Sequence, residues 1–303
     1  MKLLLIGDLH GRKPLIKWKN FDAIILPGDI ASDKELGRFT KKWFAYLKTT
    51  KKPLNVDEYI ISKIGKRAFA EMEKRSLLEG NKILRYLDSF NKPIFMVAGN
   101  WDQSYGKSKI KNTDKNTFNY LKAFFDWWLG EKINPILTQG TKNVKDCMFK
   151  SINFKGINFL GYGLSSGPET PYSKHRKSKL LKGVSKKQMA ILLKAYENLK
   201  LKLEKAYKGK PTIFITHNIP NNTKLDIITN KKSVAYKKHL GSTIAREFVD
   251  KFQPVLCVGG HIHDQRGKCK IKNTRTINPG FGVKAQVLVD LDETQGKIRS
   301  VKF

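Results

Sequence analysis

The chain has 303 residues, 40% of them hydrophobic, and carries 59 Lys+Arg against 26 Asp+Glu, a formal net charge of +33. This is a globular composition with enough length to bury a large core, and no stretch approaches the roughly 18 to 20 apolar residues that a membrane span needs. Three cysteines, Cys147, Cys257 and Cys269, are too few and too odd in number for a disulfide framework, while the charge creates a long-range field that favours polyanions such as nucleic acid, phosphorylated ligands or an acidic membrane surface.

In chain order, residues 3–6 form a short apolar run that reads as a strand and leads into Gly7-Asp8-Leu9-His10-Gly11. That pattern is unlike a signal peptide, so a cytoplasmic location is expected. A second strand, 23–26, runs into Pro27-Gly28-Asp29. Helical periodicity follows over 34–47 and, in one long charged stretch, over 58–90. A third strand, 94–97, ends in Gly99-Asn100-Trp101-Asp102. Residues 117–129 place Phe118, Leu121, Phe124, Phe125 and Trp128 on one helical face, a core-type stripe. Residues 148–154 and 157–162, split by Lys155-Gly156, read as a hairpin. A helix is expected over 186–207. A fourth strand, 212–216, delivers His217-Asn218, and Gly241-Ser242 caps a helix over 242–252. A fifth strand, 255–258, runs into Gly259-Gly260-His261-Ile262-His263, and 285–290 is a late strand.

Basic residues cluster three times: Lys107, Lys109, Lys111 and Lys115; then Lys174, Arg176, Lys177, Lys179, Lys182, Lys186 and Lys187; then Lys231, Lys232, Lys237 and Lys238. Each suits either a polyanion or a solvated lysine face. No zinc finger or ribonucleoprotein signature sharpens the choice. Strands alternating with helices make this an α/β chain. It reads as a single domain over 1–303, with a helical insertion at about 35–90 and a basic variable segment at about 165–210.

In open α/β sheets, ligands bind beyond the carboxyl ends of the strands. Five strand ends here deliver Asp8, His10, Asp29, Asn100, His217, His261 and His263. Carboxylate, carboxamide and imidazole are all ligands for first-row divalent metals. Asp8 and His10, like His261 and His263, are two residues apart, so on an extended strand end each pair shares a face. Any one of these histidines could be a satisfied structural residue. Seven such groups at five strand ends point to a metal site. The other two histidines, His175 and His239, sit in lysine-rich stretches and are expected to be solvated.

The ordered set Asp-x-His, Gly-Asp, Gly-Asn, His, Gly-His-x-His, followed by Asn278-Pro279-Gly280, resembles the calcineurin-like metallophosphoesterases. The resemblance spans residue 8 to about 282. It implies a four-layer fold, a two-sheet β-sandwich flanked by helices, with a dinuclear site at one edge. It also implies that Asp8, His10, Asp29 and His263 bind one divalent ion, and that Asp29 bridges to a second held by Asn100, His217 and His261. Manganese, iron, zinc, nickel and cobalt all suit this ligand set. Two such ions can hold a shared hydroxide that attacks phosphorus in line with the leaving oxygen. Asp29, Asn100, Asp102 and His217 are then the residues expected to serve catalysis.

Relatives very often carry His where this chain has Trp101, and that His, oriented by the following acid, is thought to assist the leaving group. Indole offers a single N–H donor and cannot protonate a leaving group near neutral pH. Asp102 is retained without that partner. Some relatives that replace the His are described as acting on phosphodiesters, so a phosphodiesterase is expected, with nucleic acid or a nucleotide as a candidate substrate. The alternatives are a phosphomonoesterase or protein phosphatase and, in another class, a metal-binding scaffold or nucleic-acid-binding module without turnover. Trp101 could stack on a base, or simply pack at the rim.

Overall fold

A computed structural model describes residues 1–47, 49–50, 54, 56–102, 132–163, 169, 186–233 and 235–303. The expected helix over 117–129, His175, the basic group at 107–115 and all of the 174–187 group but its last two residues lie outside the described residues.

The elements in chain order are β1 (Lys2–Ile6), β2 (Ala23–Leu26), α1 (Leu36–Leu47), α2 (Val56–Asp88), β3 (Ile94–Met96), α3 (Pro135–Thr138), β4 (Val144–Asp146), β5 (Ser151–Phe154) and β6 (Ile157–Tyr162). Then follow α4 (Lys186–Ala206), β7 (Thr212–Asn218), α5 (Thr243–Phe252), β8 (Leu256–Gly260), β9 (Gly267–Ile271), β10 (Thr274–Asn278), β11 (Gln286–Asp292) and β12 (Lys297–Lys302).

The strands form two six-stranded mixed sheets, ordered β12-β11-β1-β2-β3-β4 and β5-β6-β7-β8-β10-β9. In the first, β1 to β4 run parallel and β11 pairs antiparallel to β1, with Lys2 opposite Asp290. In the second, β6, β7, β8 and β10 run parallel, with β5 and β9 antiparallel at the edges. The parallel strands are covered on both faces, which is why β1, β2 and the start of β8 read as unbroken apolar runs. The sheets meet through side chains such as Phe95 and Phe159, whose rings stack at 3.7 Å. The fold expected from the resemblance, a helix-flanked sandwich of two sheets, is the fold observed.

Local signals act as the sequence implies. Lys155 and Gly156 both take positive φ in the turn between β5 and β6. Ser242 caps α5 by accepting a hydrogen bond from the Ala245 amide. One expectation is corrected: the long helix over 58–90 is interrupted at Gly65, where φ 80° and ψ 159° break the helical path. Glycine alone adopts that conformation without penalty. Beyond the break, the second part of α2 packs Leu77, Leu84 and Leu87 into the main core. Tyr59, Ile60, Phe69 and Met72 instead form a separate cluster with Phe39, Trp43 and Tyr46 of α1.

Candidate metal centre

The five strand ends predicted from the sequence converge where the two sheets abut. Asp8, His10 and His263 bring potential ligand atoms within 4.8 Å of one another, and so do Asp29, His217 and His261. Asn100 joins the second group, its Oδ1 lying 2.9 Å from His217 Nε2. Asp29 lies between the groups: its Oδ2 is 3.4 Å from His10 Nε2 and 3.4 Å from His217 Nε2.

The backbone holds this geometry at some cost. His10, Asp29 and His261 take φ of 46°, 54° and 64°, the left-handed region that Asp and His enter more readily than bulkier residues. Such conformations persist only where the surroundings impose them, and they cluster at functional sites. Two glycines make room. A β-carbon at Gly260 would collide with the Asp8 carboxylate, and one at Gly99 with the Asp29 carboxylate. The Asn278-Pro279-Gly280 turn braces the first group. The Gly280 carbonyl accepts from the Asp8 amide at 3.1 Å, Gly282 N–H donates to the Asp8 carbonyl at 2.8 Å, and Asn278 Nδ2 donates to the Ile262 carbonyl at 3.0 Å.

Several observations show that this donor set fits divalent cations. His217 Nδ1 lies 3.0 Å from the Pro27 carbonyl, which can only accept, so Nδ1 carries the proton and Nε2 a lone pair. That lone pair faces Asn100 Oδ1 and Asp29 Oδ2, an arrangement that is repulsive without a cation among them. Burial lowers the pKa of His217, and drives that of His10 down to about 4 against the pull of Asp8, so both rings are in the neutral, ligating form. Burial pushes Asp29 well above the usual carboxylate range, with the negative charges of Asp8 and Asp102 adding to the shift. Burial alone would also raise Asp8, but a hydrogen bond to His263 helps to hold the group low. Among the described residues the ion-pair partners of Asp8 and Asp29 are histidines only. The buried Asp8 Oδ1 has no hydrogen-bond partner. Buried carboxylates and orphaned donor atoms of this kind are what a metal ion satisfies.

Asp102 is placed differently from the catalytic role expected of it. It is fully buried, and its carboxylate accepts from the amides of Ile30 (2.9 Å), Ala31 (2.8 Å) and Gly99 (3.1 Å). It therefore ties the Asp29 turn to the Asn100 turn, with backbone amides replacing the imidazole partner. Trp101 donates its backbone N–H to Asp29 Oδ1 at 3.0 Å and sets its half-buried indole edge-on to His10, centroids 6.0 Å apart.

His239 is also corrected. It is not simply solvated: its Nδ1 meets the buried carboxylate of Asp226 at 2.7 Å. Asp226 also accepts the amides of Asn222, Thr223 and Gly241, and so organises the loop after β7. Lys231, Lys232, Lys237 and Lys238 are exposed, as a solvated face requires.

Sequence reasoning missed two rim residues. Phe281 stacks on His263 with centroids 4.2 Å apart. The Arg12 guanidinium lies 4.9 Å above the Phe281 ring and pairs with Asp33 at 3.2 Å. Both directly adjoin recognised motifs, Arg12 after Gly11 and Phe281 after Asn-Pro-Gly, and that adjacency was the available signal.

Comparison with known proteins bears on the fold and the family. An uncharacterized protein of Methanocaldococcus jannaschii is 30% identical over 128 residues, which cover 41% of this chain and 49% of that protein. The match thus spans about half the length of that relative. One solved structure superposes with a TM-score of 0.53 at 17% identity, covering 99% of this chain and 98% of the other, a likeness of fold. The crystal structure of a phosphopantetheinyl hydrolase from Mycobacterium tuberculosis gives a TM-score of 0.43 at 13% identity, covering 93% and 90% of the two chains. A sequence model described as calcineurin-like phosphoesterase matches residues 75–265, more than half of the chain and the stretch that carries Asn100, His217, His261 and His263. The chain belongs to the calcineurin-like phosphoesterase family.

Proposed function

We propose that this protein is a phosphodiesterase that works with two divalent metal ions, one held by Asp8, His10, Asp29 and His263, the other by Asp29, Asn100, His217 and His261. Membership of the family supports hydrolysis of phosphate esters; the preference for diesters is the finer step. When bound, the two ions would bring the pKa of water near neutrality and neutralise charge on the phosphoryl oxygens. The chain's own contribution is placement. Asp29 Oδ1 is fixed by the Trp101 amide, which leaves Oδ2 for both groups of ligands. His217 is locked by the Pro27 carbonyl in the tautomer that offers Nε2. Such outer contacts set ligand orientation and basicity.

The observation that carries the diester reading is Trp101. Its indole stands next to His10, where many relatives carry a proton donor, and its one N–H is too weak an acid to replace that donor. General acid assistance contributes about 10²–10⁴ in rate, so its loss weighs most on poor leaving groups. The test compares bis(para-nitrophenyl) phosphate with para-nitrophenyl phosphate, using protein stripped of metal and then given manganese. Manganese-dependent turnover that favours the diester is expected. Preference for the monoester would replace the reading with a phosphomonoesterase, and no turnover with any divalent metal would overturn it. Trp101→His is expected to raise the rate on an alkyl diester about tenfold or more, with little change on the aryl diester, whose leaving group needs no proton.

A further inference from the structure

A cavity of about 840 Å³ opens along the loop that follows His10. Its size falls in the range of about 300–1,000 Å³ typical of ligand sites. Four cations line it, Lys13, Lys17, Arg266 and Lys284, and no acidic side chain does. Among the described residues none of the four enters an ion pair. Arg266 instead donates to the carbonyls of Pro279 and Gln286. Three rings complete the lining, those of Trp18, Tyr86 and Phe303. The cations sit by the ring faces: Lys13 Nζ is 4.1 Å from the Tyr86 centroid, Lys17 Nζ 4.7 Å from that of Trp18, and Arg266 Cζ 5.5 Å from that of Phe303.

The walls are built rather than loose. The nearly buried Gln286 side chain accepts the Lys17 amide at 3.0 Å and donates to the Leu15 carbonyl, while the Leu15 amide bonds the Val283 carbonyl at 2.9 Å. The cavity also adjoins the metal centre. Lys13 is three residues from His10 and Arg266 three from His263, so each Cα is within about 11 Å of that ligand's. On the metal-centre side, Phe281 stacks on the His263 ring and Arg12 lies over Phe281.

Unpaired cations interleaved with ring faces are the chemistry of a phosphate backbone carrying stacked bases. An acidic peptide would use the cations and leave the rings unmatched. We infer that this cavity takes one nucleotide unit of a single-stranded nucleic acid, its phosphate against Lys13, Lys17, Arg266 and Lys284 and its base on Trp18 or Tyr86. The inference rests on the phosphodiesterase reading for its consequence, that the unit bound here neighbours the phosphodiester at the metal centre.

The test reads binding in the absence of metal, so the two readings fail separately. A fluorescein-labelled single-stranded hexathymidylate is titrated with the full chain in EDTA and followed by anisotropy. Binding that weakens steeply with salt is expected. Lys17→Gln/Lys284→Gln is expected to lose about tenfold in affinity and to lower the log–log salt slope by roughly 1.4, about 0.7 per lost contact. Trp18→Ala should lose at least about fivefold. Turnover of bis(para-nitrophenyl) phosphate by the manganese-loaded variants should stay within about twofold, because among the described residues no hydrogen bond, ion pair or ring contact joins Lys17, Trp18 or Lys284 to a proposed metal ligand. Absence of hexathymidylate binding would overturn the inference. So would the lysine pair binding as tightly as wild type, which would assign the affinity to other lysines, or a phosphopeptide binding where the oligonucleotide does not. Binding lost in both variants, with no diester hydrolysed by wild type, would uphold the cavity and remove the phosphodiesterase reading.

Discussion

At the scale of single residues, Asp102 and the metal-facing side chains differ in what their loss does. Asp102 satisfies three buried amides, and an unsatisfied buried donor costs about 1–3 kcal/mol. Asp102→Ala is therefore expected to lower stability by roughly 3–5 kcal/mol in urea unfolding, with Asp102→Asn, which keeps one acceptor oxygen, recovering part of the loss. Asp29→Asn and His217→Ala are expected to abolish hydrolysis in a protein that still folds. Asp29→Asn should leave the unfolding midpoint close to wild type, since an amide oxygen can still accept from the Trp101 amide, whereas His217→Ala should lower it through the lost Pro27 hydrogen bond and the cavity left behind. Gly260→Ala probes the tight fit at Asp8. Overpacking of this kind costs about 1–3 kcal/mol, and the displaced carboxylate should reduce manganese affinity in calorimetric titration. Unchanged affinity would mean that Asp8 does not ligate.

At the scale of elements, the α1–α2 pair carries a pH dependence of its own. Burial pushes Glu73 up to about 7 from 4.5, with Asp57 adding to the shift, and pushes Asp57 up to about 6 from 3.8, with Glu58 adding. A carboxyl whose folded pKa is raised binds its proton more tightly in the folded state. The folded form is then favoured at low pH, and stability falls as pH rises between the unfolded and folded values, here from about 4 to about 7. Hydrogen exchange of α1 and the first part of α2, corrected for intrinsic rates, should show more protection at pH 5 than at pH 8. Asp57→Asn/Glu73→Gln should flatten the difference.

The elements also show what the sequence could reveal. Most of the central parallel strands were legible because burial on both faces forces unbroken apolar runs such as Leu3-Leu4-Leu5-Ile6, but β10, Thr-Arg-Thr-Ile-Asn, is interior without such a run and was missed. Three of the four edge strands were not; β5, half of the expected hairpin, was. β4 is three residues long and polar, and β9, Gly-Lys-Cys-Lys-Ile, alternates between exposed and partly buried positions before the buried Ile271. The site was legible for a related reason. Metal ligands come from few residue types, and strand geometry fixes their spacing. Asp102's role in bridging two turns was not legible, because it depends on amides about seventy residues away. The break at Gly65 was missed because the surrounding helical periodicity continues on both sides of it.

At the scale of the whole molecule, the net charge of +33 acts on arrival rather than on chemistry. A positive field raises the association rate of an anionic substrate and is screened over a Debye length of about 8 Å at physiological salt. For an anionic diester, kcat/KM should fall as salt rises while kcat stays nearly constant. A parallel fall in both would place the salt effect at the metal centre instead. The pairing of β1 with β11 has a consequence for the protein while it is being made. Lys2 finds Asp290 only once residue 290 has been made, some tens of seconds later at about 5–20 residues per second. For that interval β1 is an apolar strand with an open edge, the kind of segment that invites pairing with other chains. Asp8, at its end, also lacks His263 and the Gly280 turn. The ribosome-bound chain thus carries a sticky edge and half of a metal centre. Arrival of β11 closes that edge, after His263 and the Gly280 turn have come to brace Asp8, so the exposed strand and the unfinished first ligand group disappear in the same last stretch of folding.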